Sequence, residues 1–112
     1  MEKVSFPYDD AQVIALTANG AQAITIIDTL TIIDGVTVPA TGNRTLNLTI
    51  DEQVPIGAIL MGKMKTDGTE TTIFGTGMSG ATITGAAGKT KTFLAMYDGS
   101  KFVEAGTPVQ ID

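Results

Sequence analysis

Residues 24–38 read ITIIDTLTIIDGVTV, and the two-residue beat of this stretch is the strongest constraint on the chain. A strand sends successive side chains to opposite faces, whereas a helix returns to one face every 3.6 residues. The even positions carry Ile24, Ile26, Leu30, Ile32, Val36 and Val38, broken by Asp28 and Asp34. The odd positions carry Thr25, Thr29, Thr31 and Thr37 with Ile27, Ile33 and Gly35. The even face is therefore the expected core face. Asp28 and Asp34 are expected to mark ends, bulges or bends, with short strands near 23–27 and 30–33. The doubled ITIID also raises a hexapeptide β-helix as a rival, but that architecture needs several successive copies and two are present.

The same alternation recurs at RTLNLTI, where Leu46, Leu48 and Ile50 share one parity against Thr45, Asn47 and Thr49. Upstream, AQVIALTA supplies a first strand, and Asn19-Gly20 turns it into the repeat. GAILMGKMKTDGTETTIFG reads as a hairpin turning at Asp67-Gly68, which sets Lys65 opposite Glu70. TFLAMYDGSKFVEAG reads as a second hairpin turning at Asp98-Gly99. Between them, GTGMSGATITGAAGK is expected to be a loop around one short strand. No window shows helical spacing free of Gly and β-branched residues. With turn signals about every ten residues, eight to ten short strands point to an all-β fold, an antiparallel β-sandwich or jelly-roll-like single domain over residues 11–112. Its expected core is Ile14, Leu16, Ile24, Ile26, Leu46, Leu48, Ile50, Ile59, Phe93 and Tyr97.

Composition narrows the chemistry. Thr makes up about one residue in six, and Cys, His and Trp are absent. Without His or Cys, the commonest general base and the soft metal ligands are missing, and Ser5, Ser79 and Ser100 lack a nucleophile-elbow context. The expectation is that the chain is not an enzyme and carries no cofactor. Gly75, Gly77 and Gly80 satisfy G-x-G-x-x-G, but the glycine-rich, β-like stretch that follows offers no helix to aim at a pyrophosphate. Asp34, Asp67 and Asp98 each precede Gly, the pairing that β-turns ask for. Asp9-Asp10 and Asp51-Glu52 could hold Ca²⁺, yet neither matches an EF-hand spacing, and both read as solvated loops. The sequons at Asn43 and Asn47 read as strand surface. A net charge of −5 opposes binding to phosphate backbones. No membrane-length apolar run and no secretory segment are read, so a soluble chain is expected.

What remains is surface. Val4, Phe6 and Tyr8 alternate around Pro7 in residues 1–10, as in an extended N-terminal arm that anchors in a partner's groove. Met61, Met64 and Met78 offer adaptable apolar area that a small domain would hide by self-association. TFLAMYDGSKFVEAG, with Phe102 where such hairpins often carry Trp, resembles the closing hairpin of small β-domains in tailed-bacteriophage virion proteins. ATGNRTLNLTID looks like their mid-domain strands. The resemblance implies a structural virion component at the virion surface: a capsid decoration or head-fibre protein, homo-oligomeric and trimeric, adhering to the phage capsid or another virion protein. Its alternative is a tail-fibre or carbohydrate-binding module on a host-surface glycan. Sugar platforms use exposed aromatics, and the chain has only four Phe and two Tyr.

Overall fold

Short corners between alternating segments decide this fold. The computed structural model describes residues 11–112; the expected arm, with Val4, Phe6 and Tyr8, lies outside the described residues. The strands are β1 (Gln12–Ala15), β2 (Gly20–Ile26), β3 (Leu30–Ala40), β4 (Arg44–Ile50), β5 (Ile59–Thr66), β6 (Thr71–Phe74), β7 (Met78–Ser79), β8 (Ile83–Thr84), β9 (Thr90–Tyr97), β10 (Phe102–Glu104) and β11 (Val109–Gln110). The described residues contain no helix. A larger sheet runs β1-β3-β5-β9-β10-β7, with β11 also against β9, and a smaller sheet runs β2-β4-β6-β8. Two sheets enclose one core, so the chain is an all-β sandwich.

The expected antiparallel pairing is corrected for most of the chain. From β1 to β6 each strand lies in the opposite sheet from its predecessor, so the chain winds as a coil. Every ladder within that coil is parallel: β1–β3, β3–β5, β2–β4 and β4–β6. The short β7–β10 ladder is parallel too. Antiparallel pairing is confined to β5–β9, β9–β10, β9–β11 and β6–β8. Alternation has a period of two in either direction, so parity locates a strand without fixing its partner. The winding resembles the rival β-helix more than a chain of hairpins, though no hexapeptide repeat drives it.

Two further expectations are corrected. Asp67-Gly68 is a corner between sheets: β5 and β6 do not pair, because β3 and β9 already occupy both edges of β5. Lys65 lies opposite Thr90, while Glu70 turns back so that its Oε1 accepts the Gly68 N–H at 2.7 Å. The core face also changes parity at Asp28. Ile24 and Ile26 point inward from β2, but Thr31 and Ile33 do so from β3. Gln12 fastens this corner: its Oε1 accepts the Ile27 N–H and the Thr31 hydroxyl, and its Nε2 donates to the Thr25 carbonyl. The hairpin at Asp98-Gly99 forms as expected, with Phe102 opposite Tyr97. The glycine-rich stretch before it holds two short strands, β7 and β8, rather than one.

Of the expected core, Leu16, Ile24, Ile26, Leu46, Leu48 and Phe93 are buried, and Ile14, Ile50 and Tyr97 pack partly buried against them. Ile59 faces outward instead; its neighbour Leu60 takes the inward place. Phe74 on the smaller sheet meets Phe93 on the larger edge to face, with ring centroids 5.0 Å apart.

The largest fully buried side chain is Arg44, 1% exposed, at the start of β4. Its Nε donates to the Thr17 carbonyl at 2.9 Å, Nη1 to the Gly35 carbonyl at 3.3 Å, and Nη2 to the Val38 carbonyl. Burial pushes its pKa down, and the charge of Asp34 pushes it back up. Gly35 makes the room: a Cβ there would stand 2.9 Å from Nη1 and 2.8 Å from the Met64 sulfur. Asp34-Gly35 is thus a bulge inside β3, with the Asp34 carboxylate accepting from the Val36 N–H, the Thr37 N–H and the Thr37 hydroxyl.

Arg44→Met should cost about 3 kcal/mol or more in chemical denaturation, because three inward carbonyls lose a charged donor. Arg44→Lys should recover only part of it, since an ammonium cannot reproduce the guanidinium fork. A loss below about 1 kcal/mol for the methionine variant would contradict the role assigned to this residue.

Acid sensitivity follows from two turns. The Asp34 carboxyl lies below its ordinary value, chiefly through the Thr37 hydroxyl, and Asp98 does so through the N–H groups of Lys101 and Ser100. A native pKa below the unfolded one stabilises the fold fully above the unfolded value, and that contribution disappears as pH falls through the native value. Stability should therefore decline below about pH 4, and the double variant Asp34→Asn, Asp98→Asn should flatten the decline. Denaturation midpoints from neutral pH downward check this; an unaltered slope in the variant contradicts it.

Candidate interaction surface

The outer faces of the two sheets are chemically unlike. On the smaller sheet the outward residues are small or polar: Thr25 lies beside Thr49, Ala23 beside Asn47, and Ala21 beside Thr45. Among the described strand residues of this sheet Ile73, beside Thr45, is the one exposed large apolar side chain, and Ile27, one residue past β2, is 56% exposed at the sheet's end. Such a face suits water.

The larger sheet presents the opposite. Outward side chains line up in rows that cross the strands, because the register of each ladder, parallel from β1 to β5 and antiparallel from β5 to β10, fixes which residues are neighbours. One row is Val13–Ile32–Met61–Leu94. The next is Leu30–Ile59–Met96–Val103. On the other side of the first row runs a polar one, Ala15–Asp34–Lys63–Thr92. The Lys63 ammonium across the ladder helps to keep the Asp34 carboxyl ionised. Two apolar rows bounded by a charged row thus cover four neighbouring strands.

Exposure is real along these rows. Val13 is 62% exposed, Met96 50%, Leu94 42% and Met61 38%. The segment after β10 adds a wall: Ala105, Thr107 and Val109 border a groove of about 570 Å³ whose floor includes Ile32, Met61 and Leu94. The Ala105 N–H donates to the Leu94 carbonyl at 2.8 Å, which ties the wall to β9.

The sequence-derived methionine surface is corrected here. Met61 belongs to the exposed face, but Met64 is 1% exposed and Met78 5%, both inside the core. Parity explains the split on β5: Met61 and Lys63 point outward, whereas Leu60, Gly62 and Met64 point inward. The residues that sequence reasoning missed are Val13, Ile32, Leu94 and Met96. Each alternates with a core residue, so pattern alone marks its strand as buried on both sides and does not show which side stays open.

The other candidate residues that lie among the described ones make local hydrogen bonds or close backbone approaches. Asp98 Oδ1 accepts the N–H groups of Ser100 and Lys101, and Asp51 Oδ1 that of Gln53. Asp9 and Asp10 lie outside the described residues. Gly77, at φ +80°, leaves the smaller sheet against the Leu48 carbonyl, 2.6 Å from where its Cβ would stand; a strand follows it, not a helix. At the two sequons, the Asn43 side chain accepts the Thr71 N–H and Asn47 the Thr76 N–H. No group of three or more Asp or Glu that could hold a metal ion occurs among the described residues. Phe74, Phe93 and Phe102 are buried and Tyr97 is half-buried. Compared with protein-family models, curated proteins and solved structures, the chain matches none.

Proposed function

We propose that the chain is a structural component of a virion surface, a capsid decoration or head-fibre type of domain that self-associates and adheres to a larger shell. The observation that carries this reading is the two-faced sandwich: one outer face of Thr, Asn and Ala turned to water, the other with two apolar rows to be covered. A coat protein needs that division, with a contact face and a solvated one on a rigid body. The resemblance of residues 92–106 to virion β-domains supplies the context. The turn roles of Asp34 and Asp98 support a non-enzymatic reading, as does a sequence with no His or Cys. A sugar-binding role is less favoured, since the described aromatics are turned into the core rather than displayed as a platform.

Mass spectrometry and immunogold labelling of gradient-purified virions from the lysate that carries this gene test the reading. The chain should be present in tens to hundreds of copies, with label over the particle surface. Absence from purified particles, or binding of the pure chain to a glycan array with label confined to tail tips, would replace it with the adhesion alternative.

A further inference from the structure

We infer that the apolar face of the larger sheet is covered by a second copy of this chain, related by a two-fold axis that runs along the strands between β3 and β5. The inference rests on the register of the exposed rows and goes beyond the virion reading, since it holds or fails whether or not the protein belongs to a particle.

In the order β1-β3-β5-β9-β10-β7, β1 and β3 lie on one side of that axis and β5 and β9 are their counterparts on the other, with β10 and β7 extending beyond the overlap. A two-fold rotation exchanges β3 with β5 and β1 with β9, and keeps each row at its own height along the strands. Ile32 then lies over Met61 of the second copy, and Val13 over its Leu94. Asp34 lies over the second copy's Lys63, and the reciprocal pair forms on the other side of the axis. Aligned sheets stack about 10 Å apart, which apolar side chains fill and which a lysine can span. An axis across the strands instead would bring the charged row onto apolar ones. The charge pairs thus select orientation and register, which is what peripheral ion pairs do best.

Shape agrees with charge. Val13 is the most exposed side chain of its row, and the groove between Leu94 and Val109 is the recess that faces it after rotation. Val13, Leu94 and Met61 of the first row are 62%, 42% and 38% exposed, and a contiguous apolar patch of this kind on a small domain marks an association surface. The contact is isologous and therefore closes at two copies. That closure favours a dimeric unit over the trimer implied by the resemblance.

The experiment is sedimentation equilibrium of the full chain over a wide concentration range, with circular dichroism as the control for folding. A dimer mass is expected. Val13→Asp and Leu94→Lys should each weaken association by tenfold or more, whereas the double variant should regain most of it, as the introduced carboxylate of one copy meets the introduced ammonium of the other. Within one chain these positions lie three strand spacings apart, about 14 Å, so internal pairing does not produce that rescue. The unsubstituted chain keeps the test decisive if a variant fails to fold. A monomer throughout, a trimer, a dimer indifferent to both substitutions, or single variants without rescue would each overturn the inference. So would a monomer that dimerises only when residues 1–10 are removed, since that segment would then be what covers the face.

Discussion

The guanidinium of Arg44 is the constraint around which the first half of the chain is arranged. It reaches the corner before β2 through the Thr17 carbonyl and the bulge in β3 through Gly35 and Val38, while its own backbone begins β4. A cation sealed between sheets has a large desolvation cost unless each donor finds an oxygen. Three carbonyls from two separate segments must therefore converge on one place. Pairing of β1 with β3 brings them together, the crossing to β4 carries Arg44 to them from the other sheet, and the missing Cβ at position 35 leaves room for the guanidinium.

From that knot the coil extends outward. Gln12 holds the first turn of the winding, from β1 to the corner after β2, and Asp34 holds the bulge from the solvent side. The parallel rows place like with like across the larger sheet, so an apolar residue on one strand tends to neighbour an apolar residue on the next. The same stacking that gives the interior a continuous core gives the exterior a continuous apolar face. One property of the winding thus produces both the continuous core of the domain and its apolar outer face.

Much of this is legible in the residues. Alternation locates β2, β4, β5 and β9, and Asp98-Gly99 locates a hairpin, because those signals act over a few bonds. Pairing direction is not legible: Asp67-Gly68 fits a two-residue hairpin turn, and nothing local reveals that the edges of β5 are already taken. Arg44 reads as strand surface because a charged residue in an Asn-Arg-Thr triplet looks solvent-facing, and its burial depends on carbonyls 6 to 27 residues away. Met64 and Met78 escape a sequence reading for a related reason. Methionine suits core and contact surface alike, and only tertiary packing separates the two. The exposed rows stay hidden because a strand with apolar residues on both parities reads as buried on both faces.

The position of β9 has a consequence for how the protein comes into being. It is the strand that joins β5 to β10 and β11, yet three short strands and their loops separate it from its main partner along the chain. Until a ribosome has released it, the larger sheet ends at β5, and Phe74 has no Phe93 to pack against. Long-range pairing of this kind slows folding and leaves strand edges open in the interval. The nascent chain therefore carries an unsealed β-edge beside an apolar face for several seconds of synthesis. Dense production, as when many copies are made at once, makes that interval the point at which neighbouring chains are most prone to pair wrongly.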